Sequence, residues 1–284
     1  MRYLPREDAP FSESTWGRID EAVVGAAKSQ LAGRRLLTTV GPLGFGVRSV
    51  DRMERSTEGE QAFRGFTATT SYAPVLPVPM LRSEFALSIR DVAAAEERGT
   101  PLDLANVALA AIALARLEDA LVFRGNEEIG IPGLLNAPGV NTVGVGDWSE
   151  LRQPVADLVA ATRALDEAGF PGPYTAALSP PLYDELYRVY EHGPLTQLQH
   201  AQQVITGGLF KAPALAAGGV VLAVGAQFAH IILAQDMTAA FTGPAETDYA
   251  FVVVESLVPK IAVPEAVCVL GAGPAQPARR TRSR

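Results

Sequence analysis

From Arg48 to Pro79, about thirty residues pass with little to bury, and this stretch limits the folds open to the chain. Beta-branched alternation in Phe66-Thr-Ala-Thr-Thr-Ser-Tyr72 predicts a strand, closed by prolines at 74, 77 and 79. Those prolines remove ladder donors, which suits exposed or edge strands in a long projecting hairpin and argues against a central strand. An arm of this kind is either mobile or buried against another subunit.

The rest of the chain can supply a core. Of 284 residues, 48% are apolar and 19% charged, so one large or two modest globular domains are expected. Bases are almost all arginine, with lysine only at 28, 211 and 260, yet acids outnumber them and the formal charge is -7. That balance speaks against a nucleic-acid partner gripped over the whole surface. Cys268, the single cysteine, lies in the apolar run Ala266–Leu270 and is expected in the core. Met1–Asp8 lacks the apolar stretch of a secretory signal, so a cytoplasmic address is expected. The apolar run Leu104–Ala115 falls short of the ~20 residues a membrane crossing needs, which leaves a buried helix and no membrane partner.

Ser12 is placed to cap a helix with Trp16, Ile19, Val23, Ala27 and Leu31 inward, ending near Gly33. Gly41-Pro-Leu-Gly-Phe-Gly46 reads as a tight, shaped turn. Asp103 opens a spine helix over Leu104–Phe123, with Leu104, Val107, Ala111, Leu114, Glu118 and Leu121 along one face. Gly125–Asp147 reads as loops and short strands joining two lobes. Then come a helix over Ser149–Gly169 with Val155, Leu158, Val159 and Leu165 inward, and a buried strand over Pro173–Leu178. A helix from Ser179 packs Leu182, Leu186 and Val189, and another spans Leu195–Ile205. Strands at 219–224, 230–234, 251–257 and 267–270 are expected to form a sheet beneath the spine. Beyond Gly271 no core residue remains and a disordered tail is expected; its four closing arginines are either solvated or drawn to an acidic surface.

Reaction chemistry is scarce. His192, His200 and His230 have no second ligand at helical spacing, and no phosphate loop, nucleophile elbow or dinucleotide fingerprint occurs. The adjacent acids Glu118 and Asp119, or Glu127 and Glu128, point about 100° apart on a helix and do not converge on one substrate. No catalytic residue, metal site or cofactor is assigned, and the work of the protein falls to its surfaces.

Several motifs in order resemble family 1 encapsulin shell proteins, the linocin or bacteriocin-like nanocompartment family. They are Leu31-Ala-Gly-Arg-Arg-Leu-Leu37 with Gly41–Gly46, Glu118–Gly125 with Gly130-Ile-Pro-Gly-Leu-Leu135, Gly172–Tyr183, Gln235-Asp-Met-Thr-Ala-Ala-Phe241 and Val254–Ile261. The resemblance implies an α+β, HK97 phage-capsid-like fold. Residues 1–47 would hold the N-terminal helix and the start of a peripheral domain, 48–80 the extended E-loop arm, and 81–132 the peripheral domain with its spine. An axial domain would span 133–219, a return to the peripheral sheet 220–270, and the tail 271–284.

The implied function is a self-assembling icosahedral shell, of about sixty copies or a permitted multiple. It would enclose a cargo enzyme, often ferritin-like or a peroxidase, held through a C-terminal targeting peptide. Carried over by motif, the cargo-peptide pocket comprises Leu31, Arg34, Asp236, Met237, Ala240 and Phe241. Met237 and Phe241 would form an adaptable floor and Arg34 a donor fork; the alternative for each apolar member is ordinary core. Arg34→Glu or Met237→Asp is expected to leave particles intact but empty. Tyr190, Glu191, His192, Gly193 and Pro194 match the loop around a five-fold pore, although His192 also reads as a solvent-facing turn residue. Ile89 and Arg90 stand where some members carry a flavin-binding tryptophan after the strand at 85–91, so flavin is not carried over. The rival readings are a phage or prophage capsid protein, disfavoured by only eleven residues ahead of Ser12, and a bacteriocin- or protease-like hydrolase.

Overall fold

The expected first helix forms at Glu13–Lys28 (α1) in a computed structural model that describes residues 6, 8–52, 56–190 and 195–271. The Ser12 hydroxyl accepts from the Thr15 amide at 3.3 Å, satisfying a donor that has no partner within the helix. Trp16, Ile19, Val23 and Ala27 are buried along one face. The helix stops at Lys28, short of Gly33. The amides of Ala32 and Gly33 donate instead to Asp119, each at 2.9 Å, and a short helix α2 (Gly33–Leu36) starts from that anchor.

The chain continues through β1 (Thr38–Val40), β2 (Ser49–Asp51), β3 (Ser56–Phe63), β4 (Phe66–Tyr72), β5 (Val75–Pro77) and β6 (Met80–Ser88). Helices α3 (Ile89–Arg98) and α4 (Ala105–Arg124) lead to the short strands β7 (Gly125–Asn126) and β8 (Ile131–Pro132). Next come β9 (Asn141–Gly144), α5 (Gln153–Glu167), β10 (Tyr174–Leu178), α6 (Pro180–Glu185), α7 (Gln197–Val204), β11 (Leu209–Lys211) and β12 (Gly219–Ala223). Strands β13 (Ala229–Ala245), β14 (Asp248–Ile261) and β15 (Val267–Gly271) complete it. Two compact units result: residues 1–133 with 229–262, and residues 134–228 with 263 onward.

In the first unit the sheet runs β1-β13-β14-β6, with β1 parallel to β13 and the other neighbours antiparallel. Strand alternation sends Phe85, Ala239, Phe241, Phe251 and Val253 into one core with α1 and α4. Phe85 stacks on Phe251 at 4.8 Å, and burying a ring such as Phe251 contributes about 1.5–3 kcal/mol. The spine α4 buries Val107, Ala111, Leu114, Glu118 and Leu121, the face its spacing predicts. On the opposite face Ala240, Val252 and Val254 meet Phe45. Phe45 is brought there by the Gly41–Gly46 turn, whose Leu43 and Gly44 amides donate to the carbonyls of Leu233 and Ala234 at 2.9 and 2.8 Å. Only glycine fits at 41, where φ is +130° and a methyl group would fall 2.1 Å from the Leu233 oxygen.

The arm is the expected hairpin. β3 pairs with β4, and the tip residues Phe63 and Phe66 face each other, 70% and 79% exposed. β2 pairs with β5 at the base of the arm.

Several expectations change. The strand expected at 85–91 ends at Ser88 and α3 follows; it buries only Val92, so its periodicity was too faint to read. β13 and β14 run 17 and 14 residues, far beyond 230–234 and 251–257, because register shifts between Leu233 and Thr238 interrupt the alternation. β12 and β15 do not join the sheet that packs on the spine. They pair with each other in the second unit's sheet, β11-β10-β12-β15-β9, so part of the 220–270 segment belongs there. Short apolar runs carry no label for the sheet they join.

Within the second unit, Leu158, Leu165, Leu178, Leu186, Ile205, Val221 and Cys268 form the core, and burial pushes the Cys268 thiol up to about 11. Val159 and Val189, expected inward, are exposed: α5 turns Leu158, Ala161 and Leu165 to the core, and α6 ends at Glu185 before Val189 is reached. The segment beyond Gly271 lies outside the described residues. Among the described residues, no helix is long and apolar enough to cross a membrane.

Asp119→Ala leaves the Ala32 and Gly33 amides unpaired in a buried setting and is expected to cost about 2 kcal/mol or more. Asp119→Asn, which keeps one acceptor, recovers part of the loss. Denaturant unfolding of the purified protein checks both; an unchanged midpoint for Asp119→Ala means that the anchor is not holding the start of α2.

Candidate functional site

Arg34, in α2, spreads its guanidinium over carboxylates from three elements. Nε donates to Glu118 Oε1 on α4 at 2.8 Å, Nη1 to Asp236 Oδ1 on β13 at 2.9 Å, and Nη2 to Glu255 Oε1 on β14. Glu118 and Glu255 are fully buried, while the Asp236 side chain is 58% exposed. Burial alone would lower the pKa of Arg34, but the Glu118 and Glu255 carboxylates and the bond to Asp236 more than offset it, so the guanidinium stays charged. Burial, and then the neighbouring Glu118, push the Glu255 carboxyl from the ordinary 4.5 up to about 9, against the pull of Arg34. Asp119 rises to about 6, chiefly through burial, with the Gly33 and Ala32 amides opposing the shift.

Four of the six pocket residues come together. Leu31 is buried with Ala27 and Ala115, and the half-buried Met237 packs on that cluster. Asp236 accepts from both Arg34 and the Met237 amide, so charge and thioether share one edge of the unit. Ala240 does not join them, and Phe241 sits in the core cluster on which Met237 also packs. As strand neighbours they point to opposite faces: Ala240 lies against the Phe45 side, and Phe241 packs edge-on to Phe11 at 5.8 Å and to Phe251 at 5.6 Å within the core. Both take the ordinary-core alternative.

Of the pore-loop residues, Tyr190 is half-buried with its ring centroid 4.9 Å from that of His200. Glu191, His192, Gly193 and Pro194 lie outside the described residues. Among the described residues, no group of three or more His, Cys, Asp or Glu is placed to hold a metal.

The sequence reading missed Glu118 and Glu255 as partners of Arg34. A signal was present, since an acid at an inward position of an apolar stripe has to find a cation or a proton. It also corrects the expectation for Arg34→Glu. A further acid between two buried glutamates would break the fold locally, so intact, empty particles are not the expected result.

The family model for Linocin_M18, encapsulating protein for peroxidase, matches residues 1–258. The type 1 encapsulin shell protein EncA of Myxococcus xanthus is 35% identical over 279 residues, covering 95% of this chain and 97% of that protein. Among solved structures, the virus-like particle from Pyrococcus furiosus has a TM-score of 0.71 at 20% identity, covering 90% of this chain and 99% of its own. The capsid of Myoviridae phage XM1 has a TM-score of 0.57 at 13% identity, covering 84% and 90%. At such identities the structures bear on fold alone, and that fold is the HK97 capsid type, as expected.

Arg34→Ala is expected to cost about 3–5 kcal/mol, because it strands buried carboxylates; adding Glu255→Gln recovers part of it. The raised pKa of Glu255 gives stability that is complete below pH 4.5 and is lost as pH rises through about 9. Glu255→Gln therefore flattens the decline in thermal midpoint across that window. A profile as steep as wild type means that Glu255 does not titrate there.

Proposed function

This chain belongs to the Linocin_M18 family of encapsulating proteins, and on that premise we propose that it is a shell subunit that closes with copies of itself into an icosahedral nanocompartment around a cargo enzyme. The observation that carries this reading is the match over residues 1–258, supported by a curated shell protein of nearly the same span at 35% identity. The catalytic chemistry belongs to the cargo and the subunit supplies walls. A phage-capsid role would use the same fold, but the phage likeness is one of fold only, at 13% identity.

Assembly uses the arm. Two phenylalanines at a hairpin tip, each more than two-thirds exposed, gain most by lying on a neighbouring subunit, which also removes two strand edges from solvent. Cargo docks through its targeting peptide at the edge formed by Leu31, Arg34, Asp236 and Met237, where an apolar contact and an exposed carboxylate stand side by side. Pores in the shell admit small solutes.

Met237→Asp is expected to leave particles of normal size but to empty them, as read by electron microscopy and mass spectrometry of co-purifying protein. Full loading of that variant rejects the docking edge. Phe63→Asp with Phe66→Asp is expected to shift the protein from particles to small oligomers in analytical ultracentrifugation, and normal particles would reject the role of the arm.

A further inference from the structure

Glu118 Oε2 and Glu255 Oε2 are buried and meet no donor, although Arg34 holds the other oxygen of each. The two carboxyls, one from α4 and one from β14, are held by Nε and Nη2 of the same guanidinium, which sets them side by side. As two carboxylates they offer each other only acceptors and like charge. With one proton between them, an O–H···O bond replaces the like-charge contact.

Charge counting agrees. Arg34 contributes +1, and the pair contributes -2 when fully ionised but -1 with one proton, so the proton brings the buried set to zero. Asp236, the third partner of Arg34, faces water and stands outside the buried set. The charged groups facing the pair are Arg34 from α2, Asp236 from β13, and Asp119 beside Glu118 on α4, with Arg35 next to Asp119.

We propose that Glu118 and Glu255 hold one proton between their carboxyls and act as positioning residues for Arg34, so that the edge from Leu31 to Leu37 and from Gln235 to Thr238 is tight while the proton is present and loosens when it leaves. Loss of the proton puts two like charges side by side in a dry joint, and the least costly relief is for one glutamate to swing towards water and take Arg34 with it. On the docking reading, cargo is then held less firmly as pH rises; the test does not depend on that reading.

Shells made with carbon-13-labelled glutamate are titrated by infrared spectroscopy. The expected result is a label-shifted carboxylic-acid carbonyl band at neutral pH that vanishes on going alkaline and is missing in both Glu255→Gln and Glu118→Gln. Hydrogen exchange at 31–37 and 235–238, corrected for the intrinsic pH dependence, is expected to speed up over the same range in wild type and not in Glu255→Gln. No such band at neutral pH, or a band that persists in both variants, overturns the shared proton. A titrating band with unchanged exchange overturns the positioning role. Should the variants fail to assemble, the wild-type titration and exchange still decide both points.

Discussion

One guanidinium ties the first unit together. Arg34 reaches α4, β13 and β14 from a helix of four residues, and two of its three partners have no water to fall back on. The short helix is itself placed by Asp119, which accepts from the Ala32 and Gly33 amides at its start. Adjacent acids on the spine thus divide the labour, Asp119 holding backbone amides and Glu118 holding a side chain. Their divergence, which makes them a poor acid–base pair, is what lets each serve a different element.

Elements with strong periodicity or a clear cap were legible from residues alone: α1 from Ser12 and its four-residue steps, the spine from its stripe, the arm from its prolines and exposed alternation. The fold type came from the resemblance, since no local pattern specifies how strands from distant segments pair. Where the reading failed, the local signal was diluted. A helix with one buried residue looks like a loop, a strand with irregular register looks like two shorter ones, and β12 and β15 look like any other apolar run. The site divides in the same way. Leu31, Arg34, Asp236 and Met237 were placed together by motif, but strand alternation separates Ala240 from Phe241, and the two glutamates beneath Arg34 went unread because their partner is remote in sequence.

The two faces of the main sheet have different burdens. One is filled by aromatic rings under two helices, and the other receives a glycine-rich turn and Phe45, beside an open groove of about 660 Å³ lined in part by Val252 and Val254. With the arm also unburied within its own chain, an isolated subunit holds much of its apolar surface in water, as expected of a part made for a larger object.

Cys268 adds a practical consequence. Its sulfur is shut in the second unit and its proton is held more tightly than in a free thiol, so thiol reagents at neutral pH find no native target in the folded chain. A cysteine placed by design on the surface would be the sole reactive handle per subunit, and a dye or crosslinker attached there would decorate every equivalent position once, turning symmetry into a ruler for distances across the particle.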